Sequence, residues 1–389
     1  MPAAASGEGM GFARSVPLVS FVATALLAGC GAPQAAEQDI APVREWRIGT
    51  AEHIALWYHG LAYTARAADT SATPPRARNG PLAGVDTLPP LPLYRPGYVD
   101  SMTALKRAAG VFPTELDKRA AEFAREFEGE AAYSALHFLP LYFRDGEALF
   151  GAIRVWHQAE GDPQRVTGAA AQAVAFLSAL FRTARQRDIV TAWANVLLDE
   201  SRVFYHEHWR AVQPELAALA SAVSTEWQPA ADSLRDFLLF ANLRGGELFL
   251  VPALGPEGRI VTRGVQRPRV AIGTPPPGRP RDALWPFIRE LIYPLTAETV
   301  REYLAPVRIR ELGETAITSR GAVRAGALLV DRALPADGAA YLRFFLQGAG
   351  HELPAGRDEL DAAFVRAFPV PTELQAGLEE MVQRALAGI

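Results

Sequence analysis

From residue 52 onward the apolar positions fall at helical spacing. In "EHIALWYHGLAYTARA" residues Ile54, Trp57, Tyr58, Leu61 and Ala62 share a face, which predicts a helix. Residues 67–97 are rich in Pro and Gly and predict a long surface loop or a linker. From Tyr98 to about Phe240 the pattern is helical almost throughout. "PTELDKRAAEFAREFEG" opens on Pro113 and Thr114 and carries Leu116, Ala120, Phe123 and Phe127 along one face. "AAAQAVAFLSALFRTARQ" is apolar enough to predict a central helix. "LLDESRVFYHEHWRAVQPELAALASAV" predicts a long helix kinked or split at Pro214.

After Asn242 the period shortens from 3.6 to 2. "GELFLVPAL", the turn "GPEG", "RIVTRG" and "RPRVAIGT" predict a meander of two or three short strands. "DALWPFIRELIYPLTAETVREYL" then predicts a helix with Asp282 as its cap and a kink or break at Pro294. Residues 307–389 are helical again. Helices, a small sheet, then helices predict an α+β, predominantly helical fold with a small antiparallel or mixed sheet in the C-terminal half. Residues 42–240 form the mainly helical region and 241–389 the region of sheet plus helices.

The N-terminus follows a different logic. Ser15 to Ala28, "SVPLVSFVATALLA", is an apolar run of signal-peptide length, short for a membrane span. It ends in Leu27-Ala28-Gly29-Cys30, which resembles a bacterial lipobox. The only cysteine of the chain stands where that signal needs it. The resemblance implies a signal peptide over residues 1–29, acyl chains such as palmitate on Cys30, and a tether over residues 30–41. The partner is then a membrane and the body lies outside the cytoplasm, in the cell envelope. A plain secretory signal or an uncleaved anchor is the alternative. The first nine residues carry no positive charge, whereas a start at Met10 places Arg14 close behind it, the more usual arrangement.

Charge and cysteine usage remove several classes. A formal net charge of −4, with no basic run interleaved with aromatics, argues against nucleic acid. One cysteine allows neither an intrachain disulfide nor a cysteine zinc knuckle.

Candidate chemistry centres on "WPFIRELIYPL", Trp285 to Leu295. Arg289 and Tyr293 flank Glu290 as the two histidines flank the glutamate of H-E-x-x-H. With strands before this helix, residues 240–335 resemble a gluzincin metallopeptidase domain, which implies a zincin-like scaffold. Glu311 and Glu314 lie at the distance of a third ligand. "SRGAVRAGALLVDRA" is the other candidate for the later helix, with Gly321 at the ligand position. Arginine cannot be deprotonated, so Arg289 cannot bind zinc, and Tyr293 is a weak ligand. The expectation is therefore no metal and no cofactor. Glu290 is the one catalytic candidate, and pairing with Arg289 or another arginine is its alternative. Arg289, Glu290, Tyr293, Glu311 and Glu314 would line the groove.

Other histidines offer less. His206 and His208 of "FYHEHW" sit two apart. On the helix that the surrounding sequence favours they diverge by about 200° and cannot hold one ion, whereas on a strand they could. With Glu207 they read as surface or interfacial residues, with a metal site as the alternative. His59 beside Gly60 reads as a helix-end residue, with a binding pocket as the sharper alternative, and His53 does not share its face. His137 and His157 read as structural. No nucleophile elbow, phosphate loop or dinucleotide fingerprint is present. Three functions remain open. One is a non-catalytic lipoprotein that binds peptides or envelope proteins through the degenerate groove. The second is a peptidase-like hydrolase with unrecognised ligands. The third is a structural helical lipoprotein, with the surface around Glu290 flat or buried.

Overall fold

The computed structural model describes residues 45–71, 91–129 and 131–388, all within one unit of the chain, residues 39–389. The apolar run, Cys30, the tether and residues 72–90 of the Pro- and Gly-rich stretch lie outside the described residues.

The described chain begins with a strand that its pattern does not announce, β1 (Glu45–Gly49). Six helices follow: α1 (Glu52–Ser71), α2 (Tyr98–Ala108), α3 (Glu115–Gly129), α4 (Gly146–Gln158), α5 (Gly168–Leu180) and α6 (Ala184–Glu200). A π-helical turn, Ser201–Tyr205, joins α6 to α7 (His206–Ser233), and α8 (Arg235–Phe240) leads into β2 (Gly245–Val251). The short β3 (Arg259–Val261) and β4 (Arg269–Gly273) complete the sheet. The rest is helical: α9 (Leu284–Tyr303), α10 (Pro306–Leu312), α11 (Glu314–Ala333), α12 (Gly338–Gly348), α13 (Arg357–Ala367) and α14 (Thr372–Ala387). The fold is α+β and predominantly helical, with a small mixed sheet.

The strands expected after Asn242 all form, but not as a meander. The sheet order is β1-β2-β4-β3, with β1, β2 and β4 parallel and β3 antiparallel to β4 at the edge. Burial on both faces explains this pairing. Leu248 and Leu250 of β2 and Val270 and Ile272 of β4 belong to one core, whereas Val251 and Ala271 belong to the other. Parallel strands suit a sheet covered on both sides. Trp46 of β1 joins the first core, donates its indole N–H to the Leu243 carbonyl at 3.2 Å, and meets Trp227 and Phe287 edge-on.

The two cores divide the helices. Buried residues of α1 to α6 form the core on one face of the sheet, and those of α8, α9, α11, α12, α13 and α14 the core on the other. Helix α7 serves both: Trp209 and Leu216 pack with α1 to α6, whereas Ala220, Val223 and Trp227 pack in the core that holds Trp46. Neither Pro214 nor Pro229 splits it. Proline removes one hydrogen-bond donor, and Pro214 is exposed, so water can reach the carbonyl one turn back. Helix α9 likewise runs on through Pro294.

Two local expectations are corrected. The apolar run read as one central helix is two: α5 stops at Leu180, and Thr183 starts α6 through a capping box with Gln186. Only Val174 and Leu177 of α5 are buried, because its apolar character is largely alanine, which buries little area. Asp282 does not cap α9. It pairs with Arg279 at 2.6 Å, and the N-cap position falls to Ala283, which makes no side-chain bond. Among the described residues no helix is long and apolar enough to cross a membrane.

Candidate functional site

Helix α9 lies between the sheet and α11, and every residue from Leu284 to Ile292 is buried. A segment apolar on all sides belongs in a core. Arg289 and Glu290 are carried in with it, at 1% and 2% exposure. Neither faces a groove. They are joined to each other and to the turn that enters β3.

The Arg289 guanidinium donates from Nη1 to Glu290, and from Nη2 to Glu257 at 3.1 Å and to the Ser319 hydroxyl of α11 at 2.7 Å. It also lies over the Tyr293 ring, 5.0 Å from the centroid. The Glu290 carboxylate accepts the Gly258 N–H at 3.1 Å. Arg259 adds a second cation, 3.2 Å from Glu257, and donates to the Gly258 carbonyl at 2.7 Å. Gly258 fits because it has no side chain: a Cβ would stand 2.6 Å from the Ala271 carbonyl and 2.8 Å from Glu290 Cγ. Two arginines and two glutamates thus tie β3 to α9 and α11.

The electrostatics of the two carboxyls diverge. Burial pushes Glu257 up, but Arg289 and Arg259 outweigh it and hold its carboxyl below the usual range. Burial of Glu290 wins over Arg289 and leaves its carboxyl above the usual range. Arg289 is pulled down by burial, yet the two carboxylates raise it above its ordinary value. Glu257 is therefore the permanent partner of the arginines, and Glu290 is the carboxyl that takes a proton more readily. Such a split serves acid–base chemistry where substrate can enter. Here the groups contact one another, the backbone of Gly258, the Ser319 hydroxyl and the Tyr293 ring.

The other proposed groove residues are elsewhere. Glu311 of α10 pairs with Arg308 at 3.3 Å, and Glu314 of α11 with Arg301 at 2.9 Å, both at the surface. Gly321 is a packing residue, because a Cβ there would meet Thr296 of α9 at 2.9 Å. The structure brings together Arg289, Glu290 and Tyr293, and separates Glu311 and Glu314 from them. Among the described residues no three His, Cys, Asp or Glu side chains are grouped to hold a metal ion.

A second buried network lies in the other core. His59 is in the middle of α1, not at its end, because the helix continues to Ser71. It makes hydrogen bonds to Glu200 and to the Tyr98 hydroxyl, both at 3.0 Å. Lys106 of α2 reaches Glu200 at 2.8 Å and Asp117 at 3.0 Å, and Thr114 donates to Glu200 at 2.6 Å. Burial alone would raise Glu200, but the His59 hydrogen bond and the nearby positive charge hold it down to about 2. Burial lowers His59 itself, against the raising pull of the Glu200 carboxylate. His206 pairs with Glu52 at 2.8 Å on the surface, and Glu207 is exposed beside it. His208 stacks on Phe204.

Open space occurs away from both networks. A cavity of about 880 Å³ is lined by His53, Asp145, Phe150, His157 and Asn195. A cleft of about 800 Å³ lies between the β3–β4 loop, the entry to β2 and the middle of α9. Lys106, Glu200, Glu257 and Arg259 escaped the sequence reading. The available signals were slight: Lys106 is one of two lysines in a chain that otherwise uses arginine, and Glu257 sits in an unremarkable turn. Comparison with protein-family models, curated proteins and solved structures gives no match.

Proposed function

We propose that the chain is a lipid-anchored protein of the bacterial cell envelope, held to the membrane through Cys30, that binds a ligand or an envelope partner rather than cleaving one. The anchor rests on Leu27-Ala28-Gly29-Cys30 and the lone cysteine. The observation that carries the non-catalytic part is the pairing of Arg289 with Glu290 and Glu257. Where a peptidase needs a metal ligand, a guanidinium ties three elements together. Where it needs a general base, Glu290 is enclosed beside the backbone of Gly258. The burial of Glu290 also suits a purely structural protein. Binding is favoured because two cavities of about 800 and 880 Å³ fall within the usual size of ligand sites.

The test has two arms. The full chain, expressed in a bacterial host with radiolabelled palmitate, is expected to take up label and sediment with membranes, and Cys30→Ala to lose both. Label retained by Cys30→Ala would sink the anchor. Elemental analysis of protein purified without chelator or metal-affinity tag is expected to find no stoichiometric zinc. One zinc per chain would overturn the binding reading in favour of a hydrolase.

A further inference from the structure

The cleft of about 800 Å³ has an unusual rim. Arg244, Arg263, Arg267 and Arg301 line it against a single glutamate, Glu298. In a chain of net charge −4 this concentration of cations is local. The protein engages part of it, and Arg267 has a partner of its own. Arg263 approaches Glu298 only to 4.0 Å. Arg301 is engaged by Glu314 at 2.9 Å. Arg244 makes no ion pair among the described residues. Beneath the rim the floor is apolar, formed by Leu243, Leu291 and Leu295.

The walls are held in place. The Glu247 N–H donates to the Pro268 carbonyl at 2.9 Å, closing the base of the β3–β4 loop. Gly246 lets that loop approach, since a Cβ there would stand 2.5 Å from the same carbonyl. The opposite wall is α9, whose preceding turns are fixed in the core. A cleft preorganised in this way avoids part of the ordering cost of binding.

We infer that this cleft binds a phosphate monoester carrying an apolar group, with the phosphate at the arginine rim and the apolar part on the leucine floor. A carboxylate has two oxygens, and one bidentate guanidinium satisfies both. A phosphate monoester presents three oxygens and a charge of about −1.5 to −2, and so matches several guanidiniums at once. The leucine floor adds affinity for an apolar substituent that free phosphate lacks. Two sources share this chemistry: the head of an acidic phospholipid and a soluble alkyl phosphate. The inference deepens the reading of the chain as a binding protein and rests on it. Palmitate and zinc measurements test that reading separately, so the two failures are distinguishable.

The experiment is calorimetric titration of the full-length protein, in a neutral detergent, with hexyl phosphate. Binding should exceed that of inorganic phosphate and of hexyltrimethylammonium, and should weaken with added salt. Arg244→Gln with Arg263→Gln removes two exposed charges without touching the core, and should weaken hexyl phosphate about tenfold or more. Ala297→Trp, which fills the cleft without altering charge, should weaken hexyl phosphate and spare inorganic phosphate. Competition by phosphatidate in mixed micelles identifies the phospholipid source, and its absence the soluble one. Equal affinity of the double arginine variant and the unaltered chain for hexyl phosphate would overturn the inference. Binding of hexyltrimethylammonium as tight as that of hexyl phosphate would do the same.

Discussion

Residues Arg289 and Glu290 show how one short frame can be read correctly in identity and wrongly in place. The alternative of Glu290 pairing with Arg289 is what the structure displays. Its depth was also legible, because Trp285, Phe287, Ile288, Leu291 and Ile292 cover the helix on all sides. The partners Glu257 and Ser319 were not, since ion pairs between distant segments leave no periodic trace. Removing one member of a buried pair strands the other, at a cost of about 3–5 kcal/mol. Arg289→Met is therefore expected to lose that much in urea unfolding. Glu290→Gln keeps an acceptor for Gly258 and Arg289 and should lose only about 1 kcal/mol. Equal losses would contradict the assignment of Glu290 as the carboxyl nearer neutrality. His137 gives a pH signature. Burial first, and the charge of Arg259 second, lower it to about 3. Between an unfolded value of about 6.5 and about 3, the unfolded chain binds a proton that the folded chain refuses, so stability falls as pH falls through that window. The ring borders a cavity of about 370 Å³, and solvent there trims the effect. His137→Leu should flatten the slope by about 1 kcal/mol per pH unit between roughly pH 6 and 4. An unchanged slope would mean that His137 titrates normally in the fold.

At the scale of elements, long periodic segments were readable and their endings and partners were not. Helix α1, helix α3 and the strands after Asn242 follow directly from the spacing of their apolar residues. Strand β1 did not, because "EWRIG" offers only one alternation, with Trp46 and Ile48 around Arg47. The meander was wrong for a reason that a single strand does not carry: which neighbour a strand takes depends on both faces being covered. The prolines were over-weighted as breakers. Helix α7 accepts Pro214 because its flank there faces water. Proline in a helix interior costs about 3 kcal/mol relative to alanine, partly offset by its stiffening of the unfolded chain. Pro214→Ala is thus expected to stabilise by about 1–3 kcal/mol, read as a raised Tm. A lowered Tm would mean that the helix depends on a bend at that residue.

For the molecule as a whole, the sheet is shared property. Its two faces complete two helical cores, and α7 runs through both. Tryptophans report on each: Trp57 and Trp193 in one, Trp227 and Trp285 in the other. Fluorescence and far-UV circular dichroism should therefore give one coincident urea transition, whereas two separated midpoints would show that the halves unfold independently. The α+β class was visible from the order of segments, but the division into two cores was not, because it depends on β1. That strand also governs timing. Glu45 is paired with Gly245, about 200 residues later. At about 5–20 residues per second, ribosomal synthesis keeps β1 waiting for about 10–40 s before its neighbour exists. During that interval the N-terminal helices can gather, but their core still lacks Val251, Leu254, Val261 and Ala271. The nascent chain therefore stays open until well past its midpoint, and then both halves close around the same late-arriving strands.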